Sequence, residues 1–245
     1  MNEKINYRKS DWHGFERLDF QFENRNCVLV KPKSADKKMR WLLKTEYFGA
    51  FPDFEIEMLK RGMHIAYIAN VTRWHKSADD DAKAKLCEFL YENFGLNRRC
   101  LPVGMSCGGM QAVYFAAKYP QYVAALYLDA PVMNLLSCPC GIGSAGKDMY
   151  DEFMRDTGFN ISRLINYRNH PIDRVDELIE NRIPVFLVCG DSDTVVPYSE
   201  NGYYLAEKYE KTDIPFKKII KSGCNHHPHG LTDNSELIKF AEDNY

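Results

Sequence analysis

From Asp53 onward the chain alternates short apolar runs with amphipathic segments, and few patterns restrict a fold so strongly. The spacing predicts a helix over Asp53 to Lys60 stopped by Gly62, a strand at His64 to Asn70, and a helix from Asp79 to Asn93. Ala82, Leu86, Phe89, Leu90 and Phe94 recur there at helical spacing. A strand at Cys100 to Met105, a helix at Gly108 to Lys118 closed by Tyr119-Pro120, and a strand at Val123 to Asp129 follow. The pattern loosens from Asn134 to Arg182, with short helical candidates at Met149 to Asp156 and Asp173 to Ile179. It resumes as strand Val185 to Cys189, helix Ser199 to Lys208, strand Phe216 to Lys221 and helix Ser235 to Glu242. Such alternation with short connections implies a mostly parallel sheet with helices on both faces.

Upstream, three strands at Phe15 to Phe22, Asn26 to Val30 and Arg40 to Phe48, joined by short turns, predict an antiparallel start. Residues 131–182 read as a cap-like insertion after the sixth strand, because both flanks continue one sheet. Residues 1–245 are accordingly expected to form a single domain.

Composition narrows the function classes. With 45% hydrophobic and 27% charged residues, the chain is expected to bury a core. Its formal net charge of −2 gives no field that would draw nucleic acid or an acidic membrane. The basic cluster Lys31, Lys33, Lys37, Lys38 and Arg40 reads as a solvated turn. Met1 to Ser10 lacks an apolar signal core, and no apolar run is long enough to span a bilayer, so a cytoplasmic location is expected. The eight cysteines read as thiols, and Cys138-Pro139-Cys140 has neither zinc-site nor redox spacing, so no metal is expected.

The chemistry gathers at three strand ends. Gly104-Met105-Ser106-Cys107-Gly108 is a G-x-S-x-G between an apolar run and a helical segment, the setting in which a serine sits on a sharp strand-to-helix turn. Small flanking residues are required because bulk two positions away collides with the neighbouring elements. The turn sets Ser106 over a helix N-terminus, with the Cys107 N–H aimed where an oxyanion forms. A serine hydroxyl needs a base and a group to orient that base. Strand Val185 to Cys189 leads into Gly190-Asp191-Ser192-Asp193, and the last strand into Asn225-His226-His227-Pro228-His229. Asp193 is preferred as the acid, with Asp191 read as a turn cap and Asp129 as the rival. His226 is preferred as the base over His227 and His229.

With these residues assembled, the chain resembles the α/β-hydrolase superfamily, and within it a bacterial branch of prolyl-oligopeptidase-like and carbohydrate-esterase-like serine hydrolases. The resemblance is carried by Lys44 to Pro52, Leu59 to His64, Gly104 to Gly109, Asp129 to Val132, Cys189 to Pro197 with Ser199-Glu200-Asn201, and Gly223 to Gly230. It implies an α/β-hydrolase fold with Ser106 as nucleophile, Asp193 as acid and His226 as base. Two departures stand out: Cys107 replaces an arginine common in the branch, and Glu46-Tyr47-Phe48-Gly49 replaces the His-Gly oxyanion loop of lipases. The second oxyanion N–H is therefore assigned to Tyr47, with Phe48 next.

Glu46, Trp74 and His227 are candidate substrate contacts; for Glu46 the alternative is a strand-end salt bridge, and for Trp74 packing beneath the insertion. The expected activity is that of a serine esterase releasing a short acyl group from a carbohydrate or other small polyol. No organic cofactor or metal is required. A small-peptide peptidase and a non-catalytic binding protein are the alternatives.

Overall fold

The computed structural model describes residues 6–245, so the first five of the polar residues Met1 to Ser10 lie outside it. Among the described residues one sheet contains β1 (Arg8–Trp12), β2 (Phe15–Phe22), β3 (Arg25–Lys31), β4 (Trp41–Lys44), β5 (His64–Ile68), β6 (Leu101–Met105), β7 (Leu126–Asp129), β8 (Val185–Gly190) and β9 (Phe216–Lys221). Their spatial order is β1-β2-β3-β5-β4-β6-β7-β8-β9. β1, β2, β3 and β5 pair antiparallel in sequence, and every pairing from β5 through β9 is parallel.

The central strands are continuous apolar runs because both faces are covered. Along β8, Val185, Leu187 and Cys189 enter one core while Phe186 and Val188 enter the other. The first core is closed by α2 (Ser77–Phe94), α3 (Cys107–Lys118), α6 (Val175–Glu180) and α7 (Gly202–Tyr209). The second is closed by α1 (Asp53–Lys60) and α8 (Ser235–Asp243).

Two expectations at the start of the sheet are corrected. The strand expected over Arg40 to Phe48 ends at Lys44 and lies between β5 and β6, parallel to both, not as a hairpin partner of β3. Its four residues are all buried, which suits a central position and no edge. β1 escaped detection because Arg8, Lys9, Ser10 and Asp11 are all exposed, leaving no apolar alternation to read. The insertion therefore follows the seventh strand. In the basic turn, Arg40 is not simply solvated but pairs with Asp36 at 2.6 Å.

The 131–182 segment has two parts. Phe153 of α4 (Tyr150–Thr157) and Leu164 of α5 (Ile161–Ile165) form a third apolar cluster with Leu135, Cys138, Trp74, Cys107 and Met110. Val175 and Leu178 of α6 belong instead to the main core beside α3. No helix of the described residues is long and apolar enough to cross a membrane.

Candidate active site

β6 ends at Met105 and α3 begins at Cys107, so the chain must reverse at a single residue. Ser106 does this with φ 54° and ψ −121°, a conformation few non-glycine residues adopt. The turn is pinned by the Ser106 N–H donating to the Asp129 carbonyl at 2.9 Å and by the Gly109 and Val132 N–H groups donating to the Ser106 carbonyl. A methyl group on Gly104 would lie 2.5 Å from the Gly108 carbonyl oxygen, and one on Gly109 would lie 2.4 Å from Pro131 Cβ. Gly108 faces Glu46 and Thr45, whose hydroxyl donates to its carbonyl at 2.7 Å. Strand and helix thus meet backbone to backbone, and glycine is what allows it.

Three loops at the carboxyl ends of parallel strands bring the expected residues together, where open α/β sheets place their ligands. Ser106 Oγ is 3.0 Å from His226 Nε2, and His226 Nδ1 is 2.8 Å from Asp193 Oδ2. All three are buried. Asp193 Oδ1 accepts the N–H groups of Val195 and Val196, both at 2.8 Å, which fixes the carboxylate and leaves Oδ2 for the imidazole. Asn225 Oδ1 accepts the His226 and Thr194 N–H groups at 2.7 and 3.0 Å, tying the histidine loop to the aspartate loop. Asp191 is the turn cap, accepting the Gly223 N–H and the Ser192 hydroxyl.

Asp129 serves a different histidine. Its Oδ1 is 2.7 Å from His229 Nδ1, while Oδ2 accepts the Gly230 N–H and the Tyr127 hydroxyl. His227 stays exposed at the rim, stacked on Phe51 with ring centroids 5.6 Å apart.

On the oxyanion side, Cys107 opens α3, so its N–H has no acceptor within the helix. Burial pushes its thiol up to about 11, which keeps it protonated beside Ser106. The expectation for Tyr47 needs correcting: its N–H is directed at Glu46 Oε1, 3.3 Å away. Its phenol lies instead beside the Cys107 thiol and the Arg73 guanidinium, and burial raises its pKa, so the hydroxyl keeps its proton. Trp74 is no substrate wall, being 1% exposed, with Nε1 donating to Glu152 Oε1 at 2.9 Å and its ring edge-on to Phe153. Its indole is large and needs one acceptor, and α4 supplies both the cover and the acceptor.

Among the described residues Glu46 forms no salt bridge, and it is not left free: Oε2 accepts from Asn70 Nδ2 at 2.8 Å. It belongs to a buried network that the sequence reading missed. Lys83 Nζ donates to Asn70 Oδ1 at 2.6 Å and Gln111 Oε1 at 3.2 Å, while Asn70 Nδ2 also holds the Thr45 carbonyl. Gln111 Nε2 reaches the Thr72 and Arg73 carbonyls. Burial lowers the Lys83 pKa, opposed by the charges of Asp80, Asp79 and Glu46. The signal was present, since Lys83 shares the helix stripe of Leu86, Cys87 and Leu90, where a lysine is out of place. Arg73, also missed, makes a two-pronged pair with Glu152 at 2.6 and 2.5 Å and fastens α4 to the rim.

Residues 66–244 match the sequence model of the prolyl oligopeptidase family, Peptidase_S9. No curated protein matches the chain in sequence. In structure it is similar to dipeptidyl peptidase 4 of Porphyromonas gingivalis, with a TM-score of 0.67 and 16% identity over 98% of this chain and 35% of that one. It is similar to a puromycin-hydrolyzing peptidase of Mycobacterium tuberculosis, with a TM-score of 0.69 and 12% identity over 96% and 37%. It is also similar to acetyl xylan esterase 1 from Thermoanaerobacterium sp. JW/SL YS485, with a TM-score of 0.65 and 17% identity over 100% and 89%. The chain spans about a third of the length of these peptidases and most of the esterase. At such identities the likeness is one of fold.

Proposed function

This chain belongs to the prolyl oligopeptidase family of serine hydrolases, and from that premise we propose that it hydrolyses a carboxylic ester, releasing a short uncharged acyl group from a carbohydrate or other small polyol. The observation that carries the ester reading is the state of the carboxylates around the site. Glu46 is held by Asn70, Glu152 by Arg73 and Trp74, and Glu200 by Ser137 and Ser144. Each already accepts hydrogen bonds within the protein, and Glu152 is paired with Arg73, which weakens the pull of the site on the free ammonium group of a peptide. The apolar cluster beside the nucleophile includes Cys107, Val196, Val195 and Tyr47 and suits an uncharged acyl chain. The name of the acetyl xylan esterase neighbour points the same way.

In the proposed reaction Ser106 Oγ attacks the ester carbonyl as its proton passes to His226 Nε2. Asp193 holds the Nδ1–H and stabilises the imidazolium. The Cys107 N–H and, in place of the Tyr47 N–H, the Tyr47 hydroxyl donate to the oxyanion. His226 then gives its proton to the leaving alkoxide. Water then gives a proton to the same imidazole as its oxygen attacks the acyl-serine, and the imidazolium passes that proton to Ser106 Oγ as the carboxylic acid departs.

A second reading, hydrolysis of short peptides, is favoured by the peptidases among the structural neighbours. A matched series tests both: p-nitrophenyl acetate through octanoate against aminoacyl and dipeptidyl p-nitroanilides, each with wild type and Ser106→Ala. Serine-dependent turnover of acetate above the longer esters and the anilides is expected. Serine-dependent anilide turnover exceeding that of every ester transfers the assignment to a peptidase.

A further inference from the structure

His226, His227 and His229 each present a ring nitrogen, and the three nitrogens lie within 4.8 Å of one another. We propose that these histidines form a site for a divalent transition metal of the zinc type, and that the bound ion holds the enzyme inactive by taking the base away from Ser106. Three nitrogens around a tetrahedral zinc, each about 2.0–2.1 Å from the ion, stand roughly 3.3 Å apart. Closing the present spacing therefore takes movements of about an ångström. The exposed ring of His227, stacked on Phe51 at the rim, has room for such a movement.

The surroundings are those of a metal site in two further respects. Metal-binding histidines ordinarily donate their second ring N–H to a carboxylate, a backbone carbonyl or water, which sets the tautomer and strengthens the ligand. Here two do so independently: His226 Nδ1 to Asp193 at 2.8 Å and His229 Nδ1 to Asp129 at 2.7 Å. Both thus have Nε2 left to offer. A Ser-His-Asp mechanism requires only the first of these pairs, so it does not explain the second. Moreover, the two carboxylates stand behind the histidines and balance the charge of a divalent ion.

Only His226 belongs to both arrangements. Its Nε2 lies 3.0 Å from Ser106 Oγ, and a lone pair given to a metal is no longer available to take the serine proton. Metal and hydrolysis therefore exclude each other. The inhibitory half of this inference rests on the hydrolase reading, whereas binding does not.

The test is calorimetric titration of metal-free protein with Zn2+, and spectroscopic titration with Co2+, for wild type, His227→Ala, His229→Asn and Cys224→Ser, since Cys224 is a half-buried free thiol two residues before His226 and the rival ligand. Ester hydrolysis is followed over the same zinc concentrations and after a chelator is added. One ion per chain is expected, with micromolar affinity, a tetrahedral Co2+ spectrum, and affinity at least tenfold weaker in both histidine variants but unchanged in Cys224→Ser. Activity, normalised to each variant's metal-free rate, falls with the same midpoint and returns with the chelator. Absence of binding at 100-fold the protein concentration, affinity unmoved by both histidine variants, or affinity lost with Cys224→Ser overturns the site. Binding without any loss of activity overturns the inhibition. If no hydrolysis is found at all, the titrations still decide the site.

Discussion

The rings of His226 and His229 meet edge to face with centroids 4.8 Å apart, yet each is anchored through Nδ1 to its own aspartate, Asp193 for the first and Asp129 for the second. Two imidazole–carboxylate pairs thus stand side by side, and only one reaches the serine. Asp193→Asn is expected to lower kcat by about 10³–10⁴-fold, because an amide holds the wrong imidazole tautomer. Asp129→Asn is expected to keep kcat within about tenfold and to cost stability on the order of 1–3 kcal/mol, since the Gly230 N–H, the Tyr127 hydroxyl and His229 lose a charged acceptor. Steady-state kinetics paired with urea melts of both variants check this, and equal kinetic losses would contradict the assignment.

Tyr47→Phe removes the hydroxyl beside Cys107 and leaves the ring in its cluster. A loss of about 10²-fold or more in kcat with KM little changed is expected of an oxyanion donor. A rise in KM alone would place Tyr47 in substrate binding.

Gly104→Ala is a steric test of the elbow. The added carbon would sit 2.5 Å from the Gly108 carbonyl oxygen and 2.7 Å from Gly109 Cα, both backbone atoms unable to turn aside. The expected destabilisation is about 2–3 kcal/mol or more, with activity lost as Ser106 shifts. Gly14→Ala, where no neighbouring atom of the described residues lies within 4 Å of the new carbon, is the comparison for strain at a positive φ without crowding.

His64 predicts a pH dependence of stability. It is buried, its Nδ1 has no partner among the described residues, and burial lowers its pKa to about 4. An unfolded histidine titrates near 6.5, so as pH falls below that value the unfolded chain takes up a proton that the folded chain refuses. Stability from this group is fully present above about pH 6.5 and is lost progressively down to about pH 4, amounting to about 3 kcal/mol. Denaturant melts at pH 7.5 and 4.5 should show a larger loss for wild type than for His64→Gln. Equal losses would mean that His64 does not carry the effect.

Arg73→Ala should loosen the insertion without dismantling the triad, because Arg73 meets Glu152 of α4 and makes no hydrogen bond to Ser106, His226 or Asp193. Faster proteolytic cleavage within 134–168 is expected, together with a raised KM. Protection equal to wild type would show that Trp74 and Phe153 hold α4 unaided.

Much of this could be read from the chain alone, for physical reasons. Strands buried on both faces announce themselves as unbroken apolar runs, as Val185 to Cys189 does, and a serine forced into a strand-to-helix turn needs glycines around it, as at 104 and 108. The chain order of Ser106, Asp193 and His226 was likewise visible. What carries no local signal had to wait for packing: β1 has no apolar face, and Lys83 and Trp74 depend on partners 13 to 78 residues away.

The sequence ranked Asp193 and His226 first among three aspartates and three histidines, but which side chains meet was decided by tertiary structure. Asp129 leaves β7, Asp193 follows β8, and the histidines follow β9, so the parallel order β7-β8-β9 decides which side chains meet. His226 meets the acid of the adjacent strand's loop, and His229, three residues on, reaches across to the acid of the strand beyond. Sequence determines which groups are available at the strand ends; the lateral order of strands, set by burial of both sheet faces, decides the distances between them.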